Sequence, residues 1–151
     1  MGRAWPILIL LGFCQFCASW GSLAIIAVQV EMRSGLGVSA EDVAALVWAF
    51  SFSLAVGALV AQVLIGHWER RAVLFVSLAL LGCGGMALGF AQNWEQAMAA
   101  RVAMALGAAS VMPTASVIAA SLVTEAQRPA AMSVVFGGLT TSLVVALPIS
   151  S

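Results

Sequence analysis

Trp5–Val30 reads WPILILLGFCQFCASWGSLAIIAVQV, and no charged side chain interrupts it. A helix of about 20 apolar residues crosses the hydrocarbon core of a bilayer. This stretch is long enough, and it lacks the alternation of polar and apolar residues expected of a membrane β-strand. Backbone amides in lipid must bond within their own segment, and a helix satisfies them all. The segment predicts a transmembrane α-helix at the start of the chain.

The pattern repeats along the sequence. Val43–Ile65 and Ala72–Ala91 carry no charge, Ala97–Val123 carries only Arg101, and Pro129–Ser151 carries none. The fold class is therefore all-α, a polytopic transmembrane bundle with five spans at 5–30, 43–65, 72–91, 97–123 and 129–151. The 151 residues are 63% hydrophobic and 8% charged, against about 45–50% and 25% in soluble domains. That excludes a soluble globular enzyme and a disordered tail. The six basic residues are all Arg and are balanced by six acids, so no basic footprint for nucleic acid exists. The lipid bilayer is the partner that composition implies.

The connectors carry turn and cap chemistry. Pro6 and Pro129 fall where a first-turn proline is tolerated. Ser39 with Asp42 has capping-box spacing ahead of the second span, and Asn93 with Gln96 repeats it ahead of the fourth. Ser34-Gly35-Leu36-Gly37 breaks the chain between the first two spans. If the N-terminus is cytoplasmic, Arg3, Arg70, Arg71 and Arg128 lie inside, while Arg33 lies outside and Arg101 sits just within a helix near that side. The positive-inside rule favours this orientation in the cell membrane. Arg3, the apolar stretch and Cys17-Ala18-Ser19 resemble a signal peptide, but the apolar run continues past that point to Val30.

Few residues offer reaction chemistry. Cys14-x-x-Cys17 has redox or metal spacing, but ionised thiolates inside an apolar helix are costly. With lone Cys83 these cysteines read as small packing residues. His67 is the single histidine, so neither a His-based metal cluster nor a triad can be assembled. No cofactor or metal is implied, and no nucleophile has a base at hand. Gly57-x-x-x-Ala61, Gly85-x-x-x-Gly89 and Ala105-x-x-x-Ala109 allow helices to approach closely, within the bundle or at a homodimer face.

Polar residues in the spans are more informative. Gln15, Ser19 and Ser22 share one helical face with Gly12, and Trp20 is adjacent. That face serves interhelix hydrogen bonding or lines a substrate cavity. Met112 in the fourth span joins the cavity candidates. Arg101 costs about 2.5–3.5 kcal/mol at the bilayer centre; it is an interfacial anchor or a cavity-facing group that binds an anion or tunes a proton site. Gly66-His67-Trp68-Glu69-Arg70-Arg71 forms a tight turn whose charges set topology or dock onto helix ends.

With these residues in place, the chain resembles the N-terminal part of a major facilitator superfamily transporter, in the drug:proton antiporter branch that includes sugar and purine efflux permeases. The family's loop between helices two and three is Asp-Arg-x-Gly-Arg-Arg. Here Arg70, Arg71, Val73 and Leu74 agree, while Gly66, His67 and Glu69 replace the Asp, the first Arg and the Gly. The family's fourth helix begins Arg-x-x-Gln-Gly-x-Gly-Ala-Ala. Arg101, Gly107, Ala108 and Ala109 match, while Met104 and Ala105 depart. In the fifth span, Gly137, Gly138 and Pro148 resemble a Gly-x-x-x…Gly-x-Pro-x-Gly signature, with Ala146 and Ser150 at the Gly positions that flank the proline.

The resemblance implies twelve helices in two halves and alternating access to a midplane site. It implies proton-coupled efflux of small molecules such as drugs, sugars or nucleosides. It makes Gln15, Ser19, Trp20, Met112 and Arg101 candidates for the cavity or for coupling. Gly66, His67, Arg70 and Arg71 become candidates for a cytoplasmic gating loop, and Gly138 with Pro148 for a hinge. None of the five spans holds an Asp or Glu to carry the proton. The expectation is an incomplete N-terminal half, partnered by a small-molecule substrate and by C-terminal helices of the same transporter. The rival reading is a small non-transporting membrane subunit for interaction or assembly.

Overall fold

The computed structural model describes residues 4–27, 39–64 and 68–146. Within them, five α-helices follow in order: α1 Trp5–Ala27, α2 Ala40–Leu64, α3 Arg70–Gly89, α4 Trp94–Ser121 and α5 Arg128–Ala146. A short 3-10 turn, Glu125–Gln127, precedes α5. No strand occurs among the described residues. Helices α2 to α5 each contain a stretch long and apolar enough to cross a membrane. Helix α1 has 23 residues, about 35 Å at 1.5 Å per residue. The fold is the all-α transmembrane bundle that the apolar runs predict.

Helices α2, α3 and α4 begin two or three residues earlier than the charge-free runs, because polar residues cap and enter the first turns. The Ser39 hydroxyl accepts from the Asp42 amide at 3.1 Å, and Asp42 Oδ2 accepts from the Ser39 amide at 2.9 Å. This is the reciprocal capping box. Glu41 and Asp42 then occupy the positive end of the α2 dipole. Asn93 Oδ1 accepts from the Gln96 amide at 2.9 Å, while Gln96 Oε1 accepts from the Gln92 amide at 2.9 Å. So α4 starts at Trp94 rather than Ala97. The Trp94 indole N–H reaches the Asp42 carbonyl at 3.5 Å, joining the starts of α2 and α4.

Helix α4 is the centre of the bundle. Helices α2 and α3 pack against it on one side, α1 and α5 touch it on another, and α1 pairs along its length with α5. Its buried positions are mostly small, including Ala97, Ala100, Ala105, Gly107, Ala109, Ala115 and Ala119. Lipid is as apolar as leucine, so helices associate through close fit and not through escape from water. A Cβ on Gly107 would lie 2.7 Å from the Ser77 carbonyl oxygen and 2.8 Å from the Leu81 nitrogen. A Cβ on Gly84 would lie 2.7 Å from Met104 Cγ. These two glycines bring α3 and α4 together.

The α1–α5 pair is closer still. A Cβ on Gly12 would meet the Val134 carbonyl oxygen at 2.8 Å, and one on Gly138 would overlap the Gly12 carbonyl oxygen. Helix α5 runs unbroken through Gly138. Of the expected small-residue pairs, Gly57 packs on α4: a Cβ there would lie 3.1 Å from Leu106 Cδ2 and 3.2 Å from Ala109 Cβ. The Gly85-x-x-x-Gly89 pair behaves differently. Gly89 has open space around it, a Cβ on Gly85 would only reach Met104 Cε at 3.9 Å, and Gly84, next to Gly85, makes the close contact instead. One residue is 100° of helix rotation, enough to move a glycine off the packed face. Large side chains such as Leu59, Val63, Phe75 and Phe90 point outward, as lipid-facing positions do.

Candidate substrate cavity

A cavity of about 580 Å³ opens between α1, α2, α4 and α5. Pockets of about 300–1,000 Å³ suit drug-sized ligands. Gln15 and Ser19 reach it from α1, Leu54 from α2, Met112 and Ser116 from α4, and Leu139 from α5. No charged residue lines it among the described residues. Gln15 and Ser19 are one helical turn apart, so both face the cavity. The structure therefore brings Gln15, Ser19 and Met112 to one place.

Gln15 is 5% exposed, and its Oε1 has no hydrogen-bond partner among the described residues. Interhelix hydrogen bonding does not account for that atom. A buried amide oxygen without a donor costs about 1–3 kcal/mol. Such a cost persists where a ligand or ordered water meets it.

Pro113 also lines the cavity, in the interior of α4. Proline has no N–H, so the helical bond to the carbonyl of Ala109 cannot form. Ala109 is itself a lining residue. The sequence reading does not single out Pro113 or Ser116 for the cavity. The signal was present as an internal proline in an apolar run, followed one turn later by a hydroxyl on the face of Met112.

Trp20 and Arg101 lie elsewhere. Trp20 stacks on Phe16, with ring centres 5.9 Å apart, in a ladder that continues to Phe13. Arg101 is 1% exposed, and its guanidinium carbon lies 4.1 Å from the centre of the Phe50 ring of α2. Its Nε and Nη1 have no hydrogen-bond partner among the described residues. The earlier start of α4 places Arg101 about 10 Å along the helix, not one turn in. The side chain turns into the bundle between α2 and α4 and does not reach outward as an anchor would.

Arg70 and Arg71 open α3 and are exposed, without an ion-pair partner among the described residues. Gly66, His67 and Pro148 lie outside the described residues, as does the Ser22 side chain. Cys14, Cys17 and Cys83 are free thiols. Arg128 pairs with Glu125 at 3.4 Å on the exposed side of the α4–α5 connection.

An all-α bundle of membrane-crossing helices around an uncharged central cavity defines a multi-pass membrane protein with room for a small molecule. The sequence model of the Major Facilitator Superfamily matches residues 9–151, and the chain belongs to that family. It is similar to the uncharacterized MFS-type transporter YbcL of Bacillus subtilis, with 28% identity over 99% of this chain and 38% of that protein. It is similar to the inner membrane transport protein YdhP of Escherichia coli, with 27% identity over 76% of this chain and 29% of that protein. It is also similar to the purine ribonucleoside efflux pump NepI of Salmonella paratyphi B, at 22% identity over 97% of this chain and 37% of that protein. The chain thus spans less than two-fifths of the length of these relatives.

Proposed function

We propose that this chain forms the N-terminal wall of a proton-coupled efflux transporter that moves small molecules by alternating access. The observation that carries the reading is the cavity between α1, α2, α4 and α5, lined by Gln15, whose buried Oε1 has no partner among the described residues. In such transporters the substrate sits near the midplane, and two halves rock about it. Further helices of the same transporter would close the open side of the cavity. The relatives, of which this chain spans less than two-fifths, support that arrangement. The relative named as a purine ribonucleoside efflux pump supports outward export of a small molecule.

Coupling would join two groups from different parts of the protein. No Asp or Glu lines the cavity among the described residues; in this reading the helices that complete the transporter supply the proton-carrying carboxylate. Arg101 is the buried charge on this side. A buried guanidinium whose Nε and Nη1 have no acceptor among the described residues favours the ionised form of any carboxylate brought near it. The transporter is oriented with its N-terminus in the cytoplasm of the inner membrane, by the distribution of Arg3, Arg70, Arg71 and Arg128.

The test is flux in proteoliposomes containing the transporter that carries this chain. Nucleosides, sugars and apolar drugs are loaded, and a pH gradient is imposed. Gradient-driven release of one class supports the reading. Release that ignores the gradient removes proton coupling. A stable homo-oligomer with no flux replaces the reading with a non-transporting subunit.

A further inference from the structure

We propose that the cavity selects uncharged molecules bearing an N–H donor beside a carbonyl acceptor, as in a lactam or carboxamide, and that Gln15 reads this edge. The proposal rests on the transporter reading only in taking the cavity as the ligand site.

Three observations converge on this chemistry. Gln15 lines the cavity, and its buried Oε1 has no donor among the described residues. The amide that carries this acceptor also carries two N–H donors on the adjacent nitrogen. One side chain therefore offers an acceptor and a donor side by side, the pattern by which Gln pairs with two neighbouring groups on a base edge. A ligand N–H next to a C=O meets both, and it does so in either orientation of the Gln15 amide.

The second observation is the charge of the wall. No Arg, Lys, Asp, Glu or His lines the cavity among the described residues. An ionic ligand entering it gives up hydration with no counter-charge on this wall. An uncharged ligand avoids that loss.

The third is the rest of the lining. Met112, Leu54 and Leu139 give apolar contact, and methionine adapts to differing shapes. Pro113 withholds the helical donor from the Ala109 carbonyl, and both residues line the same wall. The lining fixes a polar edge and tolerates variation in the body attached to it.

The test compares two fluorescent probes on the purified transporter that carries this chain, in lipid nanodiscs, with empty nanodiscs as the blank. One probe is 2-quinolinone, a neutral lactam; the other is its N-methyl derivative, which lacks the donor. The proposal expects saturable binding of 2-quinolinone at least tenfold tighter than the methylated probe. It expects that difference to fall below twofold in Gln15→Met. Because the comparison lies between ligands on one unaltered protein, it holds even if the Gln15 variant folds poorly. Equal affinity for the two probes overturns the proposal, as does discrimination that persists in Gln15→Met. So does tighter binding of quinoline-2-carboxylate, or no saturable binding of any probe. Gradient-driven flux in proteoliposomes alongside any of these results leaves the transporter reading standing. Lactam selectivity without flux does the reverse.

Discussion

The Arg101 guanidinium carbon stands 4.1 Å from the centre of the Phe50 ring, so a buried cation on α4 rests on an aromatic face of α2. Its Nε and Nη1 find no hydrogen-bond acceptor among the described residues. Desolvated cation–π contacts are worth about 2 kcal/mol. A double-mutant cycle with Phe50→Leu and Arg101→Met, read by thermal unfolding in detergent, should return a coupling of about 1–2 kcal/mol. Strict additivity would show that the two side chains are only neighbours.

Arg101→Met alone should leave stability unchanged or raise it. Replacing a buried charge by an apolar group of similar length is often neutral or stabilising. In the transporter, Arg101→Ala should abolish gradient-driven flux while the protein still reaches the membrane. Arg101→Lys should restore little, because an ammonium does not reproduce the planar group that lies on Phe50. Wild-type flux in Arg101→Ala would confine the residue to packing.

Gly138 and Gly137 are adjacent, yet they should respond in opposite directions to the same substitution. A Cβ on Gly138 overlaps the Gly12 carbonyl oxygen, whereas one on Gly137 meets nothing within 4 Å. Gly138→Ala should destabilise by about 1–3 kcal/mol through overpacking. Gly137→Ala should be neutral or gain up to about 1 kcal/mol of helix propensity. Melting temperatures of the two variants decide the matter, and equal shifts would contradict the α1–α5 crossing.

Ser39→Ala removes one half of the α2 capping box. The expected loss is about 1 kcal/mol, and it should be local. Hydrogen exchange should quicken at the first-turn amides of α2, Asp42 among them, and stay unchanged at Leu46 and beyond. Uniformly faster exchange along α2 would mean that the cap is not an independent element.

Pro113→Ala restores an N–H to the middle of α4. The helix should gain stability, by up to about 3 kcal/mol if the proline is fully unfavourable there. Ligand affinity should fall, because the Ala109 carbonyl becomes occupied by its own helix. A variant with both higher stability and unchanged affinity would show that this carbonyl is not used.

The helices were legible because each is a long apolar run bounded by polar residues, and a bilayer demands little more. The starts of α2 and α3 are not, since a charge does not end a helix and Glu41, Asp42 and Arg70 lie inside first turns. Gln15 and Ser19 were legible as a face by their spacing, and Met112 meets them at the cavity. Trp20 shares their helix but stacks on Phe16, a choice made by local aromatic contact that spacing does not encode. Packing glycines were the least legible. In α4 nearly every face is apolar and small, so no period marks which side meets which neighbour. Gly84 and Gly85 differ only by one step of rotation, and the position of Met104 decides between them.

The crossing at Gly12 and Gly138 reaches beyond stability. Gln15 lies one turn from Gly12, and Leu139 follows Gly138 directly, so two walls of the cavity flank one rivet of backbone against backbone. Sliding α1 past α5 would drive a carbonyl into a neighbouring chain. The two helices must travel together as a single jaw, and the distance between the Gln15 amide and Leu139 becomes a constant of the molecule. Within this chain, any change in the cavity's width falls to the α2 and α4 sides, leaving the Gln15 amide on a fixed mount.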